Sequence, residues 1–154
     1  MTYTWNSAEL GDTSPPASRE ITDTDIAEYC GAARYENLVY TNQPAARETG
    51  LPGIVAPPAM VLAFAPPRLS DLAGARGCSL PPNLSQNPVG ITLRFQGILV
   101  SHGDTITAQT SLTAKEERDG IRYLTFTITA HNQAGQPVAE YDVEYLWEGP
   151  ENQL

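Results

Sequence analysis

Hydrophobic and polar residues alternate one by one along four successive segments in the second half of the chain. The segments are ITLRFQG from Ile91, TITAQTSLTAK from Thr105, RYLTFTITA from Arg122 and PVAEYDVEYLW from Pro137. A period of two is typical of antiparallel strands with one buried and one solvated face. The links HGD, ERDG and NQAGQ consist of turn-forming residues. The pattern therefore predicts an antiparallel meander, and it places Val138 with the acidic residues on the solvated face of the last strand.

A run that is apolar on every side, AMVLAFA over 59–65, precedes these strands. It follows Pro57-Pro58, and proline in the first turn favours a helix start, whereas Pro66-Pro67 predicts where the helix stops. A helix without a polar face belongs inside a core. The sequence therefore predicts an α+β fold in which an antiparallel sheet wraps around one central apolar helix. The length of 154 residues fits a single domain over 1–154.

The N-terminal third predicts shorter elements. The first 20 residues predict an extended arm or one short edge strand. Thr22 with Asp25 predicts a capped helix start, followed by a short helix with Ile26, Tyr29 and Cys30 on one face.

The segment from 34 to 58 predicts a long loop with one or two helical turns between 43 and 49. A loop of this length is unusual in a compact domain unless it is functional. Beyond the central run, LSDLAGARG predicts a short helix or turn, and SLPPNLSQNP predicts a loop.

Composition narrows the function classes. The net charge of −9 argues against nucleic acid, because phosphate contacts need clustered lysines and arginines. Cys30 and Cys78 lack metal-ligand spacing and predict free thiols in a reducing compartment. The apolar stretch over 54–65 is shorter than the about 20 residues of a spanning helix, and no signal-peptide pattern opens the chain. We therefore expect a cytoplasmic protein that binds no membrane and needs no cofactor or metal.

The order of these elements resembles that of the MaoC-like hotdog dehydratases and (R)-hydratases. ITDTDIAEYCGAA is similar to the family's lead-in helix, and the segment from Leu93 to Trp147 is similar to its final four strands. The similar features include Gly103-Asp104-Thr105 at a strand start and the hairpin from Asn132 to Gly135. The resemblance implies a hotdog fold and a dimer, either of two identical chains or with another hotdog subunit.

The family's chemical signature, roughly G-D-x-N-P-x-H-x-[DN]-x-x-x-A, aligns with the stretch from Arg34 to Ala46. Its aspartate position holds Tyr35 and its histidine position holds Tyr40, whereas Asn37 agrees with it. The later loop, often I-x-H-G, is here Ile54-Val-Ala-Pro-Pro58, which is similar to degenerate N-terminal-type domains and to partner subunits of two-component hydratases. The resemblance implies Tyr35, Tyr40 and Glu36 as catalytic candidates. It implies that the substrate contacts Asn37, Asn42, Ala56, Pro58, Ala59 and Met60.

Hydration of a 2-enoyl thioester needs a base that activates water and an acid that protonates the α-carbon. Tyrosine titrates near about 10, so a tyrosine pair is a poor base unless it is strongly perturbed. Oxyanion stabilisation needs only backbone N–H groups at the start of the central helix, and the prolines leave Ala59 and Met60 as the expected donors.

Each candidate also has a plain structural interpretation. Tyr35 and Tyr40 can be packing residues, Glu36 an exposed loop carboxylate, and Asn37 a residue that holds the loop. The two histidines, His102 and His131, predict solvated turn or strand-end positions, although folding can bring in a substitute base. Arg34, Arg47 and Arg68 flank the loop and helix, either as surface residues or as contacts for a phosphate of CoA or a carrier protein.

Two functions remain open at this stage. The first is a lyase-type enzyme that hydrates or dehydrates an acyl chain linked as a thioester to CoA or acyl-carrier protein. The second is a non-catalytic hotdog subunit or acyl-binding module that partners a competent MaoC-like protein. An adjacent gene with an intact D-x-N-P-x-H domain favours the second.

Overall fold

The computed structural model describes residues 1–82 and 88–148, which form one five-stranded sheet with short helices on one side. The strands are β1 (Ala17–Glu20), β2 (Pro88–Phe95), β3 (Thr105–Arg118), β4 (Ile121–His131) and β5 (Pro137–Glu148). The α-helices are α1 (Asp23–Ala33), α2 (Gln43–Glu48), α3 (Val61–Phe64) and α4 (Leu69–Ala75), and 3₁₀ helices span Leu38–Tyr40 and Pro58–Met60. The predicted α+β class is confirmed.

The sheet is antiparallel in every pairing, with the order β1-β3-β4-β5-β2. The four long strands match the four alternating segments of the sequence. On β4, every second residue from Leu124 to Ala130 is buried, and β5 buries Ala139, Tyr141, Val143, Tyr145 and Trp147. The opposite face carries cross-strand ion pairs such as Arg94 with Asp142, at 3.0 Å. The period-two pattern therefore predicted which face of the sheet forms the core.

The central apolar run forms a shorter helix than its length suggests. One 3₁₀ turn over Pro58–Met60 leads into one turn of α3, and the chain leaves the helix at Ala65. Val61 and Phe64 pack in one cluster with the buried residues of the sheet, and the Tyr141 hydroxyl donates to the Ala65 carbonyl at 2.5 Å. Leu62 stays 37% exposed, so the helix is apolar on all sides but buried on only some of them.

Helix α1 begins and ends as its residue types dictate. The Thr22 hydroxyl accepts from Asp25 N–H at 3.1 Å, and the Asp25 carboxylate accepts from Thr22 N–H at 2.9 Å. This reciprocal pair satisfies two amides that have no intrahelical partner. Arg34 ends the helix in the left-handed region at φ 57°. The predicted capped helix is confirmed, as are the short helices over Gln43–Glu48 and Leu69–Ala75.

The N-terminal arm runs along β3 before it forms the edge strand β1. Buried Asp12 accepts the Tyr3 hydroxyl at 2.7 Å and pairs with Arg76 at 2.6 Å. The Trp147 ring nitrogen donates to the Tyr3 carbonyl at 3.2 Å. These contacts tie the arm to α4 and to the end of β5.

Two sequence-based expectations need correction, and a third concerns residues that the structure does not describe. Val138, expected on the solvated face, is buried because the chain after β2 folds back over it, and Gln96 N–H donates to its carbonyl at 3.2 Å. The apolar side chains of β2 are not all covered: Ile91 and Phe95 are exposed because β2 is an edge strand. Half of the predicted loop over 79–88, the residues 83–87, lies outside the described residues.

Cys30 and Cys78 are free thiols, as expected. Among the described helices, none is long and apolar enough to cross a bilayer.

Candidate functional site

The segment after α1 is held by two asparagine caps. Asn37 begins the first 3₁₀ helix, and its side-chain oxygen accepts from Val39 N–H at 3.1 Å. Asn42 begins α2 in the same way, accepting from Ala45 N–H at 2.9 Å. Both oxygens therefore satisfy backbone amides that the short helices leave without a partner. These contacts support the loop-holding role considered for Asn37.

Three tyrosines form one aromatic cluster in this segment. The rings of Tyr29 and Tyr35 stack with centroids 6.1 Å apart, and Tyr35 meets Tyr40 edge to face at 5.5 Å. Tyr35 and Tyr40 line an open cleft of about 390 Å³, here called the tyrosine cleft. The cleft residues are Asp23, Ala27, Cys30, Gly31, Arg34, Tyr35, Glu36, Tyr40, Thr41 and Ile54. The three catalytic candidates therefore share one cavity.

Burial shifts the pKa values of two groups of helix α1 at this cleft, Tyr29 and Cys30. It raises the pKa of the Tyr29 hydroxyl, and the neighbouring Tyr35 adds to the effect. Burial also raises the pKa of the Cys30 thiol. Both groups are therefore protonated near neutral pH, so Cys30 is not poised as a nucleophile. Tyr29 was not among the sequence-based site candidates, although its helix position places it on the same face as Cys30.

The start of the central helix borders a second, small cavity of about 90 Å³, here called the apolar pocket. Its lining residues are Ala56, Pro57, Pro58, Phe64, Phe95, Gly97, Ile98, Leu99, Val100, Val138 and Ala139. This lining consists of apolar side chains and one glycine. The pocket therefore suits a hydrocarbon rather than a charged group.

The two expected oxyanion donors differ in their hydrogen bonding. Met60 N–H donates to the Pro57 carbonyl at 2.9 Å inside the 3₁₀ turn, so it is already engaged. Ala59 N–H has no acceptor within the described part of the chain. Because the helix has only the residues from Pro58 to Phe64, its dipole is also smaller than a longer helix would supply.

The chain from Ile54 to Ala56 separates the two cavities. Ile54 lines the tyrosine cleft, buried Val55 follows it, and Ala56 lines the apolar pocket. The Gln43 side-chain oxygen accepts from Ile54 N–H at 3.0 Å. The same oxygen lies only 2.5 Å from the position that a Cβ on residue 53 would occupy, so Gly53 leaves room for it. The sequence-based candidates therefore divide into two groups within a single chain, with the tyrosines on one side of this segment and the helix start on the other.

The histidines differ in their surroundings. His102 lies in a turn, as predicted, but its Nδ1 accepts from Asp23 N–H at 3.0 Å, and Asp23 lines the tyrosine cleft. His131 lies at the end of β4, opposite Thr107 of β3. Only His102 therefore contacts a residue of the candidate site.

Of the three arginines considered, Arg34 lines the tyrosine cleft. Arg68 pairs instead with Asp71, and Arg47 lies exposed on α2. Within residues 1–82 and 88–148, no group of three or more His, Cys, Asp or Glu side chains is placed to hold a metal ion.

Solved structures with the same fold span nearly the whole chain. A monoamine oxidase regulatory protein from Archaeoglobus fulgidus superposes with a TM-score of 0.80 at 21% identity, covering 97% of this chain and 96% of its own. The (R)-hydratase PhaJ1 from Pseudomonas aeruginosa gives 0.72 at 20% identity, with 96% and 86% coverage. The HadBC (3R)-hydroxyacyl-ACP dehydratase complex from Mycobacterium tuberculosis gives 0.72 at 20% identity, with 88% and 95% coverage. At these identities the likeness shows the fold alone.

No curated protein matches the sequence. A family model does match, and its description is "FAS1-like, dehydratase domain region". The match runs over residues 8–141, from the N-terminal arm into β5, and so includes both cavities. The chain therefore belongs to the FAS1-like dehydratase-region family and has the hotdog fold of the MaoC-like hydratases and dehydratases.

Proposed function

We propose that this chain hydrates or dehydrates an acyl chain that is linked as a thioester to CoA or to an acyl-carrier protein. The observation that carries the proposal is the apolar pocket at the start of the central helix, together with the Ala59 amide directly after the prolines, which has no acceptor among residues 1–82 and 88–148. Ala56 and Pro58 line this pocket, which supports their role in contacting the hydrocarbon. Ala59 N–H is the remaining donor for charge that develops on the thioester oxygen.

The tyrosine cleft supplies the candidate proton-transfer groups. Tyr35, Tyr40 and Glu36 all line it, and the first two occupy the positions of the family's aspartate and histidine. A tyrosine hydroxyl with an ordinary pKa of about 10 is a competent proton donor to a carbanion-like α-carbon but a weak base. The acid half of the chemistry is therefore better supplied here than the base half.

A working site needs the two cavities to act on one substrate, and a dimer is the natural way to bring them together. Strand β2 is a sheet edge, and it exposes Val89, Ile91 and Phe95 together with nearby Leu99. An apolar edge strand left open invites another chain. We therefore propose that β2 forms the interface with a second copy or with another hotdog subunit. Phe95 and Leu99 also line the apolar pocket, so such a partner would close its mouth.

A second candidate function is a non-catalytic subunit that shapes the acyl pocket of a competent partner. Two observations support this role. The candidate residues are divided between two cavities, and the side-chain oxygens of Asn37 and Asn42 already accept hydrogen bonds as helix caps. Co-purification from the native host distinguishes the two functions. A stable complex whose partner alone carries a D-x-N-P-x-H motif favours the subunit role, whereas a homodimer with its own activity favours the enzyme.

The acyl-binding role is testable through pocket size. Val138 lines the apolar pocket, so Val138→Phe should shrink it and Val138→Ala should enlarge it. We expect the purified chain to hydrate crotonyl-CoA, with Val138→Phe raising KM and Val138→Ala shifting preference toward octenoyl-CoA. If the wild-type chain neither turns over nor binds either thioester, the enzymatic proposal is wrong. If both variants keep the wild-type chain-length preference, the hydrocarbon lies elsewhere.

A further inference from the structure

His102 lies beside the tyrosine cleft, although it is far from the cleft-forming loop in sequence. Val55 pairs with Ser101 in an antiparallel bridge, and Ala56 N–H donates to the Val100 carbonyl at 2.7 Å. This register places His102 opposite Ile54, which lines the cleft. The His102 ring also contacts the first residue of α1, because its Nδ1 accepts from Asp23 N–H at 3.0 Å.

The Asp23 carboxylate leaves one oxygen without a donor. The Asp23 side chain is 46% exposed as a whole, but its Oδ1 is buried, has no hydrogen-bond partner among the described residues and lies 3.5 Å from His102 Nδ1. A buried carboxylate oxygen without a donor is unfavourable, and a proton on Nδ1 would supply the missing hydrogen bond. The chemistry therefore allows two protonation forms of the His102 ring at this position. In one, Nδ1 accepts the Asp23 amide and Nε2 carries the proton. In the other, Nδ1 donates to Asp23 Oδ1 and Nε2 is a free base.

We infer that His102, oriented by Asp23, acts as the base at the tyrosine cleft. The inference rests on the proposed hydratase function. In the hydration direction, His102 Nε2 takes one proton from a water whose oxygen bonds to the β-carbon. The electrons of the double bond move to the α-carbon, which takes the proton of a cleft tyrosine hydroxyl. Proton transfer from the imidazolium to the tyrosinate then restores both groups.

The residue types suit this division of work. Imidazole is the side chain best suited to accept a proton from water, whereas a tyrosine hydroxyl is a better proton donor than acceptor. The His102 side chain is 56% exposed, so a solute can reach the ring. The other charged groups on the cleft wall are Arg34 and Glu36, and Asp104 from the His102 turn is engaged by Ser101 N–H and Gln133.

The chain offers a matched control, because it has only two histidines. Hydration of crotonyl-CoA is measured for wild type, His102→Gln, His131→Gln and Asp23→Asn, each checked for folding. We expect His102→Gln to lower kcat about 10²-fold or more with little change in KM. His131→Gln should match wild type. Asp23→Asn should lower kcat less, because it weakens the orientation of the ring without removing the base.

The outcomes separate this inference from the proposed function. An active wild type with His102→Gln within about threefold of it overturns the role of His102 and leaves the hydratase proposal standing. A wild type without activity overturns both.

Nitrogen-15 NMR of the imidazole tests the contact between His102 and Asp23 without substrate. A detectable population with the proton on Nδ1 supports the inference, whereas a ring held only in the Nε2–H form that caps α1 contradicts it.

Discussion

The rings of Tyr35 and Tyr40 meet edge to face, with their centroids 5.5 Å apart, at the two positions where the family signature has an aspartate and a histidine. Aromatic pairs in this geometry contribute about 0.5–1.5 kcal/mol beyond the area they bury. An aromatic pair at these positions therefore stabilises the loop by packing, but it transfers protons less readily than an aspartate and a histidine would. Both residues line an open cleft, so tyrosine side chains are available there as proton donors.

The central helix should show a sharp contrast between two of its residues. Phe64 is buried in the core cluster, whereas Leu62 is 37% exposed. Phe64→Ala should lower the free energy of unfolding by about 3–5 kcal/mol, because it leaves a cavity in the core. Leu62→Ala should cost less than about 1 kcal/mol. Denaturant titration of the two variants measures both values. Equal costs would mean that this helix does not pack as described.

The exposed edge of β2 should control assembly. Ile91 is 55% exposed there, and Leu10, at 65%, is an equally apolar control on the N-terminal arm. We expect light scattering to give a complex of at least two chains for wild type and for Leu10→Lys. Ile91→Lys should shift the equilibrium toward the monomer, since a charge would be buried at the interface. A stable wild-type monomer at micromolar concentration, with no partner recovered, would contradict the proposed interface.

The α1 capping box should give a pH-dependent contribution to stability. The Thr22 backbone N–H, and then its hydroxyl, hold the pKa of the Asp25 carboxyl below its usual range, and Arg19 adds to this at 2.7 Å. A lowered pKa in the folded state stabilises the protein above the ordinary value of about 4, and this stability is lost as pH falls through the folded pKa.

Asp25→Asn should therefore lower the free energy of unfolding by up to about 1 kcal/mol at pH 7, with the difference from wild type shrinking in acid. Glu28→Gln makes the same charge change at an exposed position of the same helix and should have little effect. Chemical denaturation between pH 3 and pH 7 is the measurement. If the Asp25→Asn deficit stays constant over that range, the carboxylate charge is not what stabilises the cap.

The sequence predicted the strands well, because alternation with one wet face has few other physical solutions. The burial of Leu124, Phe126 and Ile128 follows directly from it. Burial at the sheet edge was not predictable in the same way. Val138 is covered because the chain after β2 folds back, whereas Ile91 is exposed because β2 has no outer neighbour. Neither fact is a local property of the strand.

The candidate site was predictable only where residues are close in sequence. Tyr35, Glu36 and Tyr40 belong to one loop, and the structure brings them to one cleft. The contact between His102 and Asp23 joins a turn to a helix start across the chain, and no spacing pattern signals it. The separation of the tyrosines from the helix start likewise depends on tertiary structure, since it follows from the path of Ile54 to Ala56.

The central claim is that this is a hydratase-type site whose proton-transfer groups have changed. Its most direct test restores the family pair in the double variant Tyr35→Asp with Tyr40→His. Loss of enoyl absorbance from crotonyl-CoA is followed for wild type, both single variants and the double variant, each checked for folding. The wild type should be slower than the double variant, because the tyrosines at the two signature positions leave the base to His102, a half-exposed residue outside this loop.

The double variant should exceed wild type by about 10²–10⁴-fold, the range typical of positioned acid and base groups. Each single variant should gain far less, because the two groups act as a unit. A folded double variant that is no faster than wild type would contradict the account. That result would mean that the pocket beside Pro57-Pro58 does not present an acyl thioester to this cleft.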